Sequence, residues 1–254
     1  MQPLPLRLLS KKLKESACTT VAVRYQEVAD ANFTLVASGS WLSVTPKNTT
    51  VRRAAAMQAL AAAEHAGLHI MFDTFASYDG ASDYPAPLID GDPFADGALF
   101  DADSPALWGW SLADEPSKPS YLSQLGRAKD NIDRLRPRRI SFVNLLPNYG
   151  VSEPWTDDNC SAVEAYDKYL DFFIEQFRPN VLCFDHYPWM EVSSALSFTN
   201  NGGRARWSPL ATMNGYRQNL LSVRQKALEH GLPFWNCAPH NTSLCARLDA
   251  QLRV

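Results

Sequence analysis

The sequence predicts an α/β protein whose parallel strands form a (β/α)8 TIM-type barrel, and three observations lead to that prediction. Segments of helical periodicity alternate with short apolar runs along the 254-residue chain. These runs lack polar–apolar alternation, which is typical of strands buried on both faces. No Gly-x-Gly-x-x-Gly or Walker loop opens a helix, so dinucleotide-binding and P-loop folds lack their phosphate-binding elements. Alternating strands and helices form parallel sheets, which leaves a barrel as the leading architecture.

The first two predicted strands follow helices that end at residues suited to a left-handed backbone. A helical segment ends at Asn32 and precedes an apolar strand at 33–38. A second helical segment ends at Gly67 and precedes a strand at 68–73. Asparagine and glycine are favoured just past a helix because they accept a positive φ at low cost. We expect the unperiodic stretch 74–106 to be a long loop with little regular helix, on the side that carries function.

The later helices are also followed directly by apolar strands. Pro137 and Pro179 cannot continue a helix, while Asn180 and Gly231 suit the left-handed position after one. One apolar stripe, with residues three or four apart, marks the helix that precedes Pro137. The strands predicted in this part of the chain are 108–114, 140–145, 181–186 and 233–237.

The strand count and the composition set the limits of the prediction. Six strands are two fewer than a closed barrel needs, so we expect the first and eighth strands to be missing or degenerate. The chain is predicted to be a single barrel domain, 1–254, with an irregular stretch at 1–20. A net charge of −3 and the lack of an 18-residue apolar run give no reason to expect nucleic acid or a membrane as partner. No feature indicates the oligomeric state.

Cysteines and glycosylation sequons bear on compartment and metal binding. Five scattered cysteines do not make a disulfide scaffold. Cys237, His240 and Cys245 could hold zinc, but no second paired cluster accompanies them, so we expect no metal. Asn-x-Ser/Thr sequons would suit a secreted eukaryotic protein, although the first residues lack the charge order of a signal peptide. These sequons begin at Asn32, Asn48, Asn159 and Asn241.

Polar side chains stand at the ends of successive apolar strands. Parallel barrel strands all end at one rim, where active sites lie. A carboxyl group in a partly dry cleft, beside another negative charge, has the raised pKa that a general acid needs. The pair Asp114–Glu115 could alternatively be the acidic start of a helix, but the second acidic strand end at Asp185 favours a site. The candidate residues are Asp73, Asp114, Glu115, Asn144, Asp185, His186, Tyr187, Trp235 and Asn236.

Three segments, GWSLADEPS, VLCFDHYPW and LPFWNCAPH, together resemble the barrel glycoside hydrolases, in particular a β-galactosidase-like branch. They match the fourth, sixth and seventh strands of that superfamily, and the resemblance covers nearly the whole chain. It implies hydrolysis of an O-glycosidic bond in a carbohydrate substrate, without a cofactor. It also implies that Glu115 is the acid/base glutamate and that an eighth strand would follow Val254.

The second carboxylate is left open by the resemblance. Retaining members carry a second Glu at the end of strand seven, and PFWNCAPH has none. Asp185 could be the nucleophile or the base of an inverting reaction, since a separation of roughly 5 Å implies retention and one of roughly 6.5–9.5 Å implies inversion. Glu191 is a third carboxylate candidate in a loop.

Other side chains have supporting roles in this hypothesis. Asp114 and His186 would tune and orient the two carboxyl groups, while Tyr187 and Asn144 could bond sugar hydroxyls. Trp235 is the best aromatic platform for a sugar ring, and Trp155 could line the cleft. Two rival functions remain: a non-catalytic carbohydrate-binding barrel or truncated inactive homologue, and a metal-dependent hydrolase. The metal-dependent rival would use Asp73, Asp185, His186 and His240.

Overall fold

The computed structural model describes residues 21–38, 49–73, 86–95, 99–151, 153–156, 160–186 and 213–237. The chain divides into two compact units. The first comprises Met1–Ala113 and Arg127–Phe142, and the second comprises Asp114–Gly126 and Val143–Val254.

Strands and helices alternate along the described chain. Helix α1 spans 21–30. The other helices are α2 (Thr49–His65), α3 (Ala86–Ile89), α4 (Pro119–Leu135), α5 (Ala162–Phe177) and α6 (Met213–His230). The strands are β1 (Leu35–Ser38), β2 (His69–Asp73), β3 (Leu107–Asp114), β4 (Ile140–Leu145), β5 (Leu182–Asp185) and β6 (Phe234–Cys237).

The six strands form one sheet in the order β1-β2-β3-β4-β5-β6. Parallel pairing joins β1 to β2, β2 to β3, β4 to β5 and β5 to β6. Each strand therefore lies beside the next one in sequence, as in a barrel of strand–helix units. The observed fold is an all-parallel α/β arrangement consistent with an incomplete TIM-like barrel.

The predicted strands are confirmed to within two residues at each end. Asn32, Gly67 and Gly231 adopt the predicted positive φ. The prediction for Asn180 is wrong, since Arg178 takes the left-handed position with φ 49° and its N–H donates to Ile174 O. Pro179 lacks an N–H and blocks further helix, so the chain turns one residue before it.

The described part of the stretch 74–106 contains little regular helix, as predicted. It contains α3 and a turn at Asp92, whose Oδ1 accepts from the backbone N–H groups of Phe94 and Ala95. Trp110 in β3 donates from Nε1 to Phe100 O at 2.7 Å, which ties this stretch to β3. The hydrogen bond also satisfies the indole of a fully buried tryptophan.

The second unit has a core centred on α5. A capping box begins the helix: Ser161 Oγ accepts from Glu164 N, and the Glu164 carboxylate accepts from Ser161 N. The buried stripe of α5 consists of Ala165, Tyr166, Tyr169, Leu170, Phe173, Ile174 and Phe177. Gly126 in α4 packs so tightly on α5 that an added β-carbon would lie 2.1 Å from Gln176 O.

The described helices include none that is both long and apolar enough to cross a membrane.

Candidate functional site

Polar groups collect at the carboxyl ends of β3, β4 and β5, within the second unit. Glu115 directly follows β3, Asn144 lies near the end of β4, and Asp185 is the last residue of β5. Because parallel strands run in one direction, their ends bring these residues to one edge of the sheet. The structure thus brings together residues that are distant in sequence.

Glu115 has an unusual backbone conformation. Its φ is 49°, in the left-handed region that costs a non-glycine residue about 1–3 kcal/mol. The Glu115 N–H donates to Asn144 O at 2.8 Å, which continues the sheet hydrogen bonding by one residue beyond β3. This bond fixes the backbone at the point where the chain turns, and so it sets the direction of the Glu115 side chain.

The Glu115 carboxyl group lies beside the Asp185 side chain. Partial burial, the charge and hydrogen-bonding group of Asp185 and the charge of Asp114 together raise the pKa of Glu115 from 4.5 to about 8. Asp185 is only 4% exposed, whereas Glu115 remains open to solvent on one side. Two carboxyl groups close together resist the loss of both protons, and the raised pKa of Glu115 means that this group keeps its proton at neutral pH.

Asn144 holds the end of β3 through its side chain as well as its backbone. Its Nδ2 donates to Asp114 Oδ1 at 2.8 Å. Its Oδ1 accepts a weak bond from Cys183 Sγ, the paired residue on β5, at 3.6 Å. Its hydrogen-bonding groups are therefore engaged by neighbouring strands, which gives Asn144 a positioning role beside Glu115.

His186 is completely buried directly after Asp185. Its ring packs against Tyr149 and Tyr216, with centroids 4.9 and 5.5 Å away. Neither ring nitrogen has a hydrogen-bond partner in the part of the chain that the structure describes. Burial lowers the pKa of His186 from 6.5 to about 4, so the ring is neutral at physiological pH. A neutral imidazole offers one donor and one acceptor.

Tyr169 is a residue at this site that the sequence interpretation missed. It lies on α5, is fully buried, and donates its hydroxyl proton to Pro116 O at 2.9 Å. The same hydroxyl oxygen accepts from Leu146 N at 3.4 Å. Only the helical stripe of α5 could have indicated that this residue faces inward, and no spacing in the sequence links it to Pro116.

Trp155 does not line a cleft. It is 8% exposed, packs edge-on against Tyr169 and Phe172, and donates from Nε1 to Ser117 O at 2.7 Å. The sequence interpretation failed because a loop tryptophan can pack inward, and here its N–H anchors the chain just past Glu115.

The remaining candidates are placed only in part. Asn236 lies in β6 and donates from Nδ2 to Tyr216 Oη, while Trp235 is half-buried in the same strand. Asp73 ends β2 in the first unit. The Asp73 side chain and the residues Tyr187, Glu191, His240 and Cys245 lie outside the described part of the chain. Within the described ranges, no group of three His, Cys, Asp or Glu residues is arranged to hold a metal.

Comparison with known proteins places the fold but not the family. No family model matches the chain, and no curated protein matches it. A solved structure from Bacteroides thetaiotaomicron, described as a putative alpha-L-fucosidase, aligns over 86% of this chain with a TM-score of 0.51 and 10% identity. This chain spans 66% of the length of that protein, just under two thirds.

A second structure, from Burkholderia cenocepacia, is described as a putative phosphonomutase. It aligns over 91% of this chain and 89% of its own, with 15% identity and a TM-score of 0.41. At 10% identity, the likeness to the first neighbour shows that this chain shares its fold, and it shows nothing finer.

Proposed function

We propose that the chain is a glycoside hydrolase, with Glu115 as acid/base and Asp185 as the partner carboxylate. The observation that carries the proposal is that Glu115 follows β3 and Asp185 ends β5, which brings two carboxyl groups to one edge of the sheet, where their interaction helps to raise the pKa of Glu115 to about 8. A carboxylic acid that keeps its proton at neutral pH, next to an ionised one, is the arrangement that protonation of a glycosidic oxygen requires.

The interaction between the two carboxyl groups favours a retaining mechanism. Two carboxyl groups close enough to interact strongly are nearer the roughly 5 Å of retaining enzymes than the roughly 6.5–9.5 Å that inverting enzymes keep for a water molecule. In the first step, the Asp185 carboxylate bonds to the anomeric carbon while the glycosidic C–O bond breaks and Glu115 gives its proton to the leaving oxygen. In the second step, Glu115 takes a proton from water, whose oxygen bonds to the anomeric carbon and releases Asp185.

The surrounding residues suit a neutral, hydroxyl-rich substrate. His186 contributes a buried, uncharged ring beside Asp185, which adds no positive charge to the site. Asp114 adds a negative charge that helps Glu115 to retain its proton. We assign further hydroxyl and ring contacts to Tyr187, Asn236 and Trp235. The proposed reaction uses no cofactor, because both proton transfers and the covalent step are performed by the two carboxyl groups.

The neighbour described as a putative alpha-L-fucosidase is compatible with this class of reaction. Its name makes aryl α-L-fucosides a sensible member of a substrate panel. The panel also includes aryl β-galactosides, because of the resemblance in the strand motifs.

The test compares Glu115→Gln with the wild type on aryl and alkyl glycosides. The matched control is Glu175→Gln, which removes an exposed carboxylate near the C-terminal end of α5. We expect Glu115→Gln to lose roughly 10²–10⁴-fold in kcat/KM on alkyl glycosides. The loss should be smaller on nitrophenyl glycosides, because nitrophenolate leaves without needing a proton. The control should keep its activity.

Two results would contradict the proposal and favour another function. Binding of sugars without turnover in the wild type would favour the carbohydrate-binding alternative. Turnover that a chelator abolishes, and that Glu115→Gln leaves unchanged, would favour a metal-dependent hydrolase.

A further inference from the structure

The segment Asp114–Ser117, here called the acid segment, is held at each of its four residues. Asp114 Oδ1 accepts from Asn144 Nδ2, and Glu115 N donates to Asn144 O. The carbonyl of Pro116 accepts from Tyr169 Oη, and the carbonyl of Ser117 accepts from Trp155 Nε1. These contacts surround the one residue of the segment whose φ is positive, so they maintain a conformation that Glu115 would not adopt unaided.

Tyr169 has a special place among these anchors because its hydroxyl joins two strand ends. It donates to Pro116 O, one residue after Glu115, and it accepts from Leu146 N, one residue after β4. Its ring is fully buried on α5 and lies edge-on against Trp155, with centroids 5.6 Å apart. A helix that packs on the sheet therefore sets the distance between the turn after β3 and the turn after β4.

The hydroxyl of Tyr169 works only as a neutral group. Burial raises its pKa above the usual 10.0, and the charges of Glu115 and Asp185 act in the same direction. The phenol therefore keeps its proton throughout the pH range in which Glu115 titrates. It can donate to Pro116 O at every such pH, and it is not itself the acid or base of the site.

We propose that Tyr169 is a positioning residue for Glu115: its hydrogen bond to the Pro116 carbonyl holds the acid segment so that the Glu115 carboxyl group meets Asp185. This inference rests on the proposed function for its catalytic consequence, but the positioning itself can be measured without any substrate. Loss of the hydroxyl should release the Pro116 carbonyl, let Glu115 leave its left-handed conformation, and separate the two carboxyl groups.

Tyr166 provides a matched control within the same helix. It is also fully buried, its ring centroid is 6.0 Å from that of Tyr169, and its hydroxyl donates to Leu146 O and accepts from Asn219 Nδ2. Both tyrosines thus bond the backbone of Leu146, but only Tyr169 reaches Pro116. Tyr166→Phe and Tyr169→Phe each remove one buried hydroxyl and should lower the unfolding midpoint by similar amounts.

The experiment is a ¹³C NMR titration of protein labelled at the glutamate carboxyl carbons, with the Glu115 signal assigned by its loss in Glu115→Gln. Among the residues that the structure describes, the ionised or polar groups that interact with Glu115 are Asp185 from β5, Asp114 from β3 and the neutral Tyr169 from α5. In Tyr169→Phe, the distance to Asp185 grows, so we expect the midpoint of Glu115 to fall by at least about one pH unit. In Tyr166→Phe it should stay within about 0.3 units of the wild type.

The outcomes separate the two proposals. An unchanged Glu115 midpoint in Tyr169→Phe, or an equal fall in both variants, overturns the positioning role. A fall confined to Tyr169→Phe supports it even if the protein hydrolyses no glycoside, in which case only the proposed function fails. With an active enzyme, Tyr169→Phe should reduce kcat roughly 10–100-fold with little change in KM, since the acid is misplaced rather than the substrate.

Trp155→Phe replaces Tyr169→Phe if the latter does not fold. It removes the hydrogen bond to Ser117 O, the neighbouring anchor of the same segment. The Glu115 midpoint should fall in the same direction, and an unchanged midpoint there overturns the proposal.

Discussion

Replacing Asp185 by asparagine tests the electrostatics of the carboxyl pair most directly. The substitution keeps the size of the side chain and removes the negative charge that faces Glu115. The Glu115 pKa of about 8 reflects partial burial first, then the charge of Asp185, the hydrogen-bonding group of Asp185, and the charge of Asp114. Asp185→Asn removes the second cause and weakens the third, while burial and Asp114 remain.

The expected size of the effect follows from Coulomb's law. Glu115 is open to water on one side, so an effective dielectric constant of about 40–80 is appropriate. Two unit charges about 4 Å apart then interact by roughly 1–2 kcal/mol, which corresponds to about one pKa unit. We therefore expect the pKa of Glu115 to fall from about 8 to nearer 7 in Asp185→Asn, while staying well above the ordinary 4.5.

The same ¹³C titration measures this change, with Glu175→Gln as a control for the removal of a carboxylate elsewhere on the unit. An unchanged Glu115 pKa in Asp185→Asn would refute the interaction between the two carboxyl groups. A fall to the ordinary value of 4.5 would also contradict the reasoning, because it would mean that burial contributes nothing.

Three further outcomes are expected. The pKa of Glu115 is raised in the folded state, so this group contributes its full stabilisation below pH 4.5 and loses it as the pH rises through about 8. Glu115→Gln should therefore flatten the pH dependence of the unfolding free energy between these two pH values. Gly126→Ala should cost about 1–3 kcal/mol or more in chemical denaturation, since its β-carbon would lie 2.1 Å from Gln176 O, and an unchanged midpoint would contradict the packing of α4 on α5. Ser161→Ala should cost about 1 kcal/mol in the same assay because it opens the capping box with Glu164, whereas Ser161→Asp should retain most of the stability.

The strands and helices were predictable because each depends on residues close together in sequence. Gly67 and Gly231 end helices by accepting a positive φ, and the apolar runs after them predict strands. Residues 70–72 of β2 are buried as expected, whereas residues 234–236 of β6 are only partly buried. The error at Asn180 has a local cause as well. Two turn-forming residues, Pro179 and Asn180, stand together there, and because Pro179 cannot continue the helix, the left-handed turn falls on Arg178, before both of them.

Only those site residues that lie at strand ends could be predicted from the sequence. The rule that parallel strands end at one edge brought Glu115 and Asp185 together as candidates, although 70 positions separate their numbers in the sequence. The same rule cannot give Tyr169, because that residue is on a helix, and its contact with Pro116 depends on how deeply α5 packs against the sheet. Nor could the rule tell that Trp155 packs inward, since a loop has no period from which a buried face can be inferred.

The conformation of Glu115 links these observations. If β3 simply continued, the side chain of residue 115 would point to the face of the sheet opposite that of residue 114, and Pro116 would end the strand pairing. Instead, Glu115 turns with a φ of 49° while its N–H still bonds to Asn144. The chain thus keeps the last sheet hydrogen bond and redirects the carboxyl group in the same residue. Such a turn costs free energy, which Asn144, Tyr169 and Trp155 offset through four hydrogen bonds. The start of a helix alone would not need so many hydrogen bonds to this segment. Anchoring on this scale is expected where the direction of one carboxyl group decides whether it shares a proton with another.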